Sequence, residues 1–310
     1  MRLLQSIIPI QQVKTPRAMN KPVENITPHK SLTDIIRYYD HTQSDYGLLW
    51  LDKNNRAVHF GYYDENAKKH HDALVNLNRV LADIAEIEEN ETVLDAGCGQ
   101  GGSSVWLAEN RGAKVIGITP VKSQVAAATR FINKKELTQK VQVEIGNYTQ
   151  TRFEDNSFDV VWACESLCHA DEKDKFYREA HRILKPGGRL IAAEYIRSGD
   201  SYHEDGDTLL TQWLHGWSIN SIDSEEQHRR HAEQSGFQKI NIRDVTENTE
   251  PSLRVLYRLS IILKPLGYFL RFFRIRSEYQ HGNLIGSLRQ YQALKKGYWF
   301  YGIISAQKSG

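Results

Sequence analysis

Asp95 stands just ahead of Gly97, Gly99, Gly101 and Gly102, in the run E-T-V-L-D-A-G-C-G-Q-G-G from Glu91 to Gly102. An acid followed by four glycines in six positions lets a ligand come close to the backbone, because a side chain would obstruct both the turn and the approach. Glu165 and His169 lie four residues apart, directly after the run Phe158–Ala163. A carboxylate and an imidazole placed there could take a proton or face a developing positive charge. Tyr38, Tyr39, Tyr46, Trp50, His59, Phe60, Tyr62 and Tyr63 crowd the segment ahead of the glycines. Arg254, Arg258, Lys264, Arg271, Arg274 and Arg276 punctuate an apolar stretch with no acid between Leu253 and Arg276. Such a stretch suits phosphate oxygens or an anionic membrane surface. Plainer readings stand beside each: a helix cap for Glu165, a satisfied structural histidine, packed aromatics, and solvated arginines on amphipathic helices.

The elements that must position these groups alternate as in an α/β protein. Thr92–Asp95 reads as a buried strand that breaks into the glycines, with a helix from about Gly101 to Arg111. Further strands are expected at Lys114–Ile118, Val141–Ile145, Phe158–Ala163, Arg189–Ile196, Phe237–Val245 and Tyr298–Gln307. Helices are expected at Val121–Lys135, Asp171–Leu184 and Glu225–Ser235, and Lys185-Pro186-Gly187-Gly188 reads as a turn. The last two strands should pair antiparallel. Residues 1–30, with Pro9, Pro16, Pro22 and Pro28, read as an arm, and 31–90 as a helical, aromatic lid whose first helix is capped by Ser31 with Asp34. Residues 91–310 form the core, with cap insertions at about 197–224 and 246–296.

The pattern Gly97-x-Gly99-x-x-Gly102 also satisfies a dinucleotide fingerprint, but the next strand ends in Thr119-Pro120 without the acid that would hold a ribose. Lys and Arg total 40 against 38 Asp and Glu, a net charge of +2, so no global field recruits nucleic acid. Three cysteines, Cys98, Cys164 and Cys168, are too few for a disulfide scaffold and fit a reducing, cytoplasmic setting. Neither a signal peptide nor a membrane-spanning run is expected. Cys164, Cys168 and His169 raise a metal site, yet no second ligand pair is spaced to complete it, so no bound metal is expected.

Asp95-Ala96-Gly97-Cys98-Gly99, N-S-F-D-V-V-W from Asn156 and R-I-L-K-P-G-G-R-L from Arg182 resemble, in order, the motifs of class I S-adenosylmethionine-dependent methyltransferases. Within that group Y-Y-D at Tyr38, V-H-F-G-Y-Y at Val58, G-I-T-P-V-K-S-Q at Gly117 and E-S-L-C-H-A at Glu165 are similar to the sterol and tocopherol C-methyltransferases and to the prenyl-diphosphate methyltransferases. The resemblance implies a Rossmann-like, mostly parallel seven-stranded sheet whose last strand is antiparallel, under a helical cap. It implies an enzyme that holds S-adenosylmethionine through Asp95, Gly97, Gly99, Gln100, Gly101, Ile118, Thr119, Gln124, Asn147, Tyr148 and Cys164.

Methyl transfer is an in-line displacement in which positioning is the protein's main contribution. Attack by an alkene leaves a carbocation that wants a carboxylate or aromatic faces, then a base. Glu165, His169 and Tyr39 are the expected reactive set. Tyr38, Tyr46, Trp50, Arg254, Arg258, Arg274 and Arg276 are the expected acceptor contacts. The expected reaction is C-methylation of an isoprenoid, foremost a prenyl diphosphate such as geranyl or farnesyl diphosphate, which would bring Mg²⁺ with it. Sterol- or tocopherol-type C-methylation, N- or O-methylation of a small metabolite, and a non-catalytic S-adenosylmethionine sensor remain as alternatives.

Overall fold

The structure is a computed structural model that describes residues 30–49, 54–199 and 204–310. Residues 1–29, most of the expected arm, lie outside the described residues, as do Trp50 and the side chain of Tyr46. The strands are β1 (Thr92–Ala96), β2 (Lys114–Thr119), β3 (Val141–Ile145), β4 (Phe158–Cys164), β5 (Leu184–Arg197), β6 (Phe237–Asp244) and β7 (Trp299–Lys308). They form one sheet in the order β3-β2-β1-β4-β5-β7-β6. The first five pair in parallel, while β7 runs antiparallel between β5 and β6.

The centre of that sheet is buried on both faces, which is why β1 and β4 are apolar almost throughout. Val93 packs with Leu77, Val105 and Val160 in one cluster, while Leu94 joins Val161, Phe176 and Ile304 in the other. Strand order reverses between β1 and β4, the place where an open α/β sheet leaves a crevice at its carboxyl edge. Helices α3 (Gly102–Arg111) and α4 (Lys122–Lys134) follow β1 and β2, and α5 (Lys173–Ile183) follows β4 after one 3-10 turn at Leu167–His169.

Over this edge sit the N-terminal helix α1 (Leu32–Leu49), α6 (Glu204–Gly216), α8 (Thr246–Phe272) and α9 (Glu278–Lys295), while α2 (His70–Ile84) and α7 (Glu225–Gln234) lead into β1 and β6. Ser31 and Asp34 cap the start of α1 reciprocally, with Ser31 N donating to Asp34 Oδ2 at 3.0 Å and Asp34 N to Ser31 Oγ at 3.3 Å. Ser224 with Gln227 and Ser277 with Gln280 do the same for α7 and α9. The segment after α1 is tied to the cap because Gly61 N donates to Ser252 Oγ of α8 at 3.0 Å.

One expectation is corrected. Lys185–Gly188 is not a turn ahead of the strand but an irregularity inside it. Leu184 already pairs with Phe158, and the register shifts before Arg189 meets Val160, with Gly187 at φ +78 absorbing the extra residues. The apolar-basic stretch Leu253–Phe273 falls almost wholly in the single helix α8 despite Pro251 and Pro265. Pro265 is exposed, so the carbonyl whose hydrogen bond its ring removes can turn to water.

Helices α6 and α9 cross where glycines meet. A Cβ on Gly216 would stand 2.3 Å from the Gly282 carbonyl oxygen, so the two backbones could not keep this spacing. Gly216→Ala should therefore lower unfolding stability by about 1–3 kcal/mol, as overpacking a close contact does. Denaturant titration checks this, and an unchanged midpoint would show that the crossing is looser than described.

Candidate active site

The crevice at the carboxyl edge opens into a cavity of about 670 Å³. That lies within the range of roughly 300–1,000 Å³ typical of small-molecule sites. One end is built by β1, β2 and their loops. Gly97 N and Cys98 N both donate to the Ile118 carbonyl, at 2.9 and 3.0 Å, which folds the glycine loop back on the next strand. Gly97 has φ +93, and a Cβ there would meet the Cβ of Ser166 at 2.4 Å. Gly99, at φ +51, differs: a Cβ would find nothing within 4 Å. Gly97 is thus small to let the loop close on β4, and Gly99 leaves its face of the loop clear.

Asp95 is buried at the end of β1 and accepts from Ser104 Oγ at 2.6 Å. Burial raises its carboxyl to about 6. Thr119 Oγ1 donates to Gln124 Oε1 at 2.6 Å and accepts from Val121 N at 3.2 Å, so a neutral polar pair stands where β2 ends. Asn147 accepts from Thr149 N at 2.9 Å, and Tyr148 donates to the Ser166 carbonyl at 2.7 Å. Asp95, Gly97, Gly99, Thr119, Gln124, Asn147, Tyr148 and Cys164 all line the cavity. Gln100, Gly101 and Ile118 do not: Ile118 lies beneath the loop, and Gly101 is the left-handed N-cap of α3 against Ala128. Gln100 instead accepts from Arg56 Nη1 at 3.0 Å, and Arg56 reaches the wall in its place.

The other end is organised by Glu165. β4 ends at Cys164 and the chain turns left-handed at Glu165, φ +49, a conformation that a residue with a side chain holds only under constraint. Its Oε1 accepts from Phe60 N at 2.6 Å and from Tyr301 Oη at 2.7 Å, and Oε2 accepts from Tyr195 Oη. Tyr195 and Tyr301 sit directly opposite each other on β5 and β7, so their side chains share one face and reach the same carboxylate. Burial raises Glu165 to about 7 against these three bonds, and the buried Glu194 nearby adds to the rise. The rings of Phe60, Tyr195 and Trp217 cluster together beside these bonds, with centroids 6.3 to 6.5 Å apart.

Tyr39 and His169 are also brought together, Tyr39 Oη lying 2.9 Å from His169 Nε2. His169 Nδ1 is 3.2 Å from the Ser218 carbonyl, which can only accept. This assigns the proton to Nδ1 and leaves Nε2 to accept from the phenol. Burial lowers His169 to about 4, keeping the ring neutral. Tyr38 lines the cavity and donates to Asn283 Oδ1 at 2.9 Å.

Of the four expected arginines only Arg276 lines the cavity, and it pairs with Asp45 at 2.5 Å. Arg254 pairs with Glu250 on the outer side of α8, and Arg258 and Arg274 are exposed away from the cavity. Helical phase decides this for Arg254 and Arg258, because the face of α8 turned inward carries Leu256, Leu259, Ser260 and Leu263, while Arg274 lies past the helix end. Sequence reading missed Arg56, Tyr195, Tyr301 and Ser218. The tyrosines sit in strands where an aromatic reads as core, and only their cross-strand pairing reveals the shared target. Among the described residues no group of three His, Cys, Asp or Glu is arranged to hold a metal.

Comparison with known proteins agrees with this architecture. Residues 94–192 match the family described as a methyltransferase domain. Tocopherol O-methyltransferase of Arabidopsis thaliana is 28% identical, over 88% of this chain and 81% of its own length. The 24-methylenesterol C-methyltransferase 2 of the same plant is 34% identical, over 60% of this chain and 50% of its own length. The chain thus spans only about half of that relative. Among solved structures, the [4+2]-cyclase SpnF superposes with a TM-score of 0.72 at 22% identity, covering 91% of this chain and 97% of that one. Geranyl diphosphate C-methyltransferase from Streptomyces coelicolor A3(2) does so with a TM-score of 0.67 at 20% identity, covering 89% and 97%. At such identities the structures speak for the fold alone. With its motifs, its sheet order and the methyltransferase domain at 94–192, the chain is an S-adenosylmethionine-dependent methyltransferase of the class I fold.

Proposed function

We propose that this enzyme methylates an alkene carbon of an apolar isoprenoid, with Glu165 meeting the positive charge that results. The observation that carries the reading is a half-buried carboxylate on the cavity wall, bonded to Phe60, Tyr195 and Tyr301 beside a cluster of aromatic rings, in a cavity also lined by Leu256, Leu259 and Leu263 of α8.

The cofactor end fits S-adenosylmethionine by the chemistry of its donors and acceptors. Gly99 leaves an open face and Asp95 offers a carboxylate for an ammonium. Arg56, beside Gln100, offers a cation for a carboxylate, and Thr119 with Gln124 offers neutral partners for ribose hydroxyls. When bound, S-adenosylmethionine supplies an electrophilic methyl group on a sulfonium. The protein's own part is to align the acceptor, exclude water and receive a proton. As the new carbon–carbon bond forms, the other alkene carbon becomes cationic. The Glu165 carboxylate and the aromatic faces lower the energy of that charge most effectively in a dry site. Loss of an adjacent proton to Glu165 restores an alkene.

A diphosphate head is the part of the expectation this wall supports least. Among the described residues its cations are Arg56 at the cofactor end, Arg276 paired with Asp45, and Lys175 paired with Glu172. A neutral isoprenoid, of the kind for which the tocopherol and sterol relatives are named, fits better. A second reading rests on His169. A neutral imidazole accepting from Tyr39 could take the proton of an acceptor hydroxyl, which would make the product a methyl ether.

The two readings titrate differently. A carboxylate base must be ionised, so kcat/KM should rise with pH through about 7 and then level. Glu165→Gln should remove that limb and slow turnover by about 100-fold or more while S-adenosylhomocysteine still binds. If His169 is the base, the limb lies near 4, and Tyr39→Phe or His169→Gln is the damaging change. A profile flat across about pH 6 to 9 with full Glu165→Gln activity contradicts the alkene reading. Mass spectrometry with an isotope-labelled methyl donor tests the acceptor class. Label should appear on carbon in neutral isoprenoids, and exclusive labelling of geranyl or farnesyl diphosphate would restore the diphosphate reading.

A further inference from the structure

The outer face of α8 has no part in the chemistry above. Ile262, Leu266, Phe269 and Phe273 follow one another at helical spacing, and all are more than half exposed. Phe272 is 80% exposed and Ile275, just past the helix end, 68%. At 100° per residue the exposed apolar side chains from Ile261 to Phe273 span an arc of roughly 160°. Lys264 and Arg271 lie at one border of that arc, and Arg274 follows its end; all three are exposed. Monomeric soluble proteins rarely leave so many large apolar side chains contiguous and uncovered.

We infer that this face docks on an anionic lipid bilayer surface, with the aromatic side chains set among the acyl chains and Lys264, Arg271 and Arg274 at the headgroups. Apolar side chains flanked by long cations are the arrangement of a helix that lies in the interface, since a lysine or arginine stem can reach up to the headgroups. From Pro251 to Ser277 there is no Asp or Glu to repel such a surface. The same fact argues against a second copy of the chain as the occupant, because two such faces would bring like charges together. The helix would rest on the bilayer rather than cross it, since among the described residues no helix is long and apolar enough to span one. Leu256, Leu259 and Leu263 on the inner side of the same helix line the acceptor end of the cavity. Docking here would bring that end to the phase in which a neutral isoprenoid dissolves. Membrane binding itself does not depend on which acceptor is methylated.

Co-sedimentation of the full chain with vesicles tests this, using phosphatidylcholine alone and phosphatidylcholine with about 30% phosphatidylserine. The protein should bind the anionic vesicles, less so as salt is raised, and bind the neutral ones at least tenfold more weakly. A triple change of Phe269, Phe272 and Phe273 to Ser should weaken anionic binding by tenfold or more. The same variant should keep the thermal midpoint and S-adenosylhomocysteine affinity of the parent, since none of the three lines the cavity. Lys264→Glu with Arg271→Glu should abolish the preference for phosphatidylserine. Failure to bind either vesicle, equal binding to both, or triple-variant binding like the parent's overturns the inference. So does a dimer in solution that the triple change dissociates.

Discussion

One half-buried carboxylate ties this molecule together. Glu165 is held by the backbone N–H of Phe60 from the segment between α1 and α2, by Tyr195 of β5 and by Tyr301 of β7, while its own backbone turns the corner at the end of β4. Four separate stretches of chain meet at one acid. Burying such a group raises its carboxyl towards neutrality even with three donors around it. The left-handed backbone and the desolvation both oppose folding, and the bonds from Phe60, Tyr195 and Tyr301 hold them in place. The same bonds that tie the Phe60 segment to the sheet therefore set the electrostatics of the cavity.

This arrangement divides the labour along the sheet. β1 and β2 end in Asp95, the glycine loop and the Thr119–Gln124 pair, a polar end with an open backbone face. β4, β5 and β7 end in Glu165 and its tyrosines, beneath an apolar wall from α8. The strand-order reversal between β1 and β4 puts the two ends side by side in one cavity. Sheet topology thus gives one cavity two differently lined walls.

Much of the fold was legible in the sequence because its signals are local. Val141–Ile145 and the helix Lys122–Lys134 appear where the sequence predicts them, and Ser31 with Asp34 caps α1 as their types require. Glu165, His169 and Tyr39 could be named because each sits at a strand end or in an aromatic cluster with chemistry of its own. What could not be read depends on three-dimensional phase. Tyr195 and Tyr301 meet only through an antiparallel register between strands more than a hundred residues apart. Arg254 and Arg258 turn outward because the phase of a long helix, not its composition, decides which side chains face the cavity. Arg56 lies in a segment without periodicity, and only its bond to Gln100 shows where it points.

The central claim is that Glu165 and its aromatic surround favour a positive charge on an apolar ligand. Calorimetry of the S-adenosylhomocysteine complex tests it most directly. An ammonium analogue of a methylated isoprenoid cation is compared with its neutral carbon isostere. The ammonium should bind at least about tenfold more tightly in the parent protein, with the advantage lost in Glu165→Gln. Equal affinity for the two ligands in the parent protein would contradict the account.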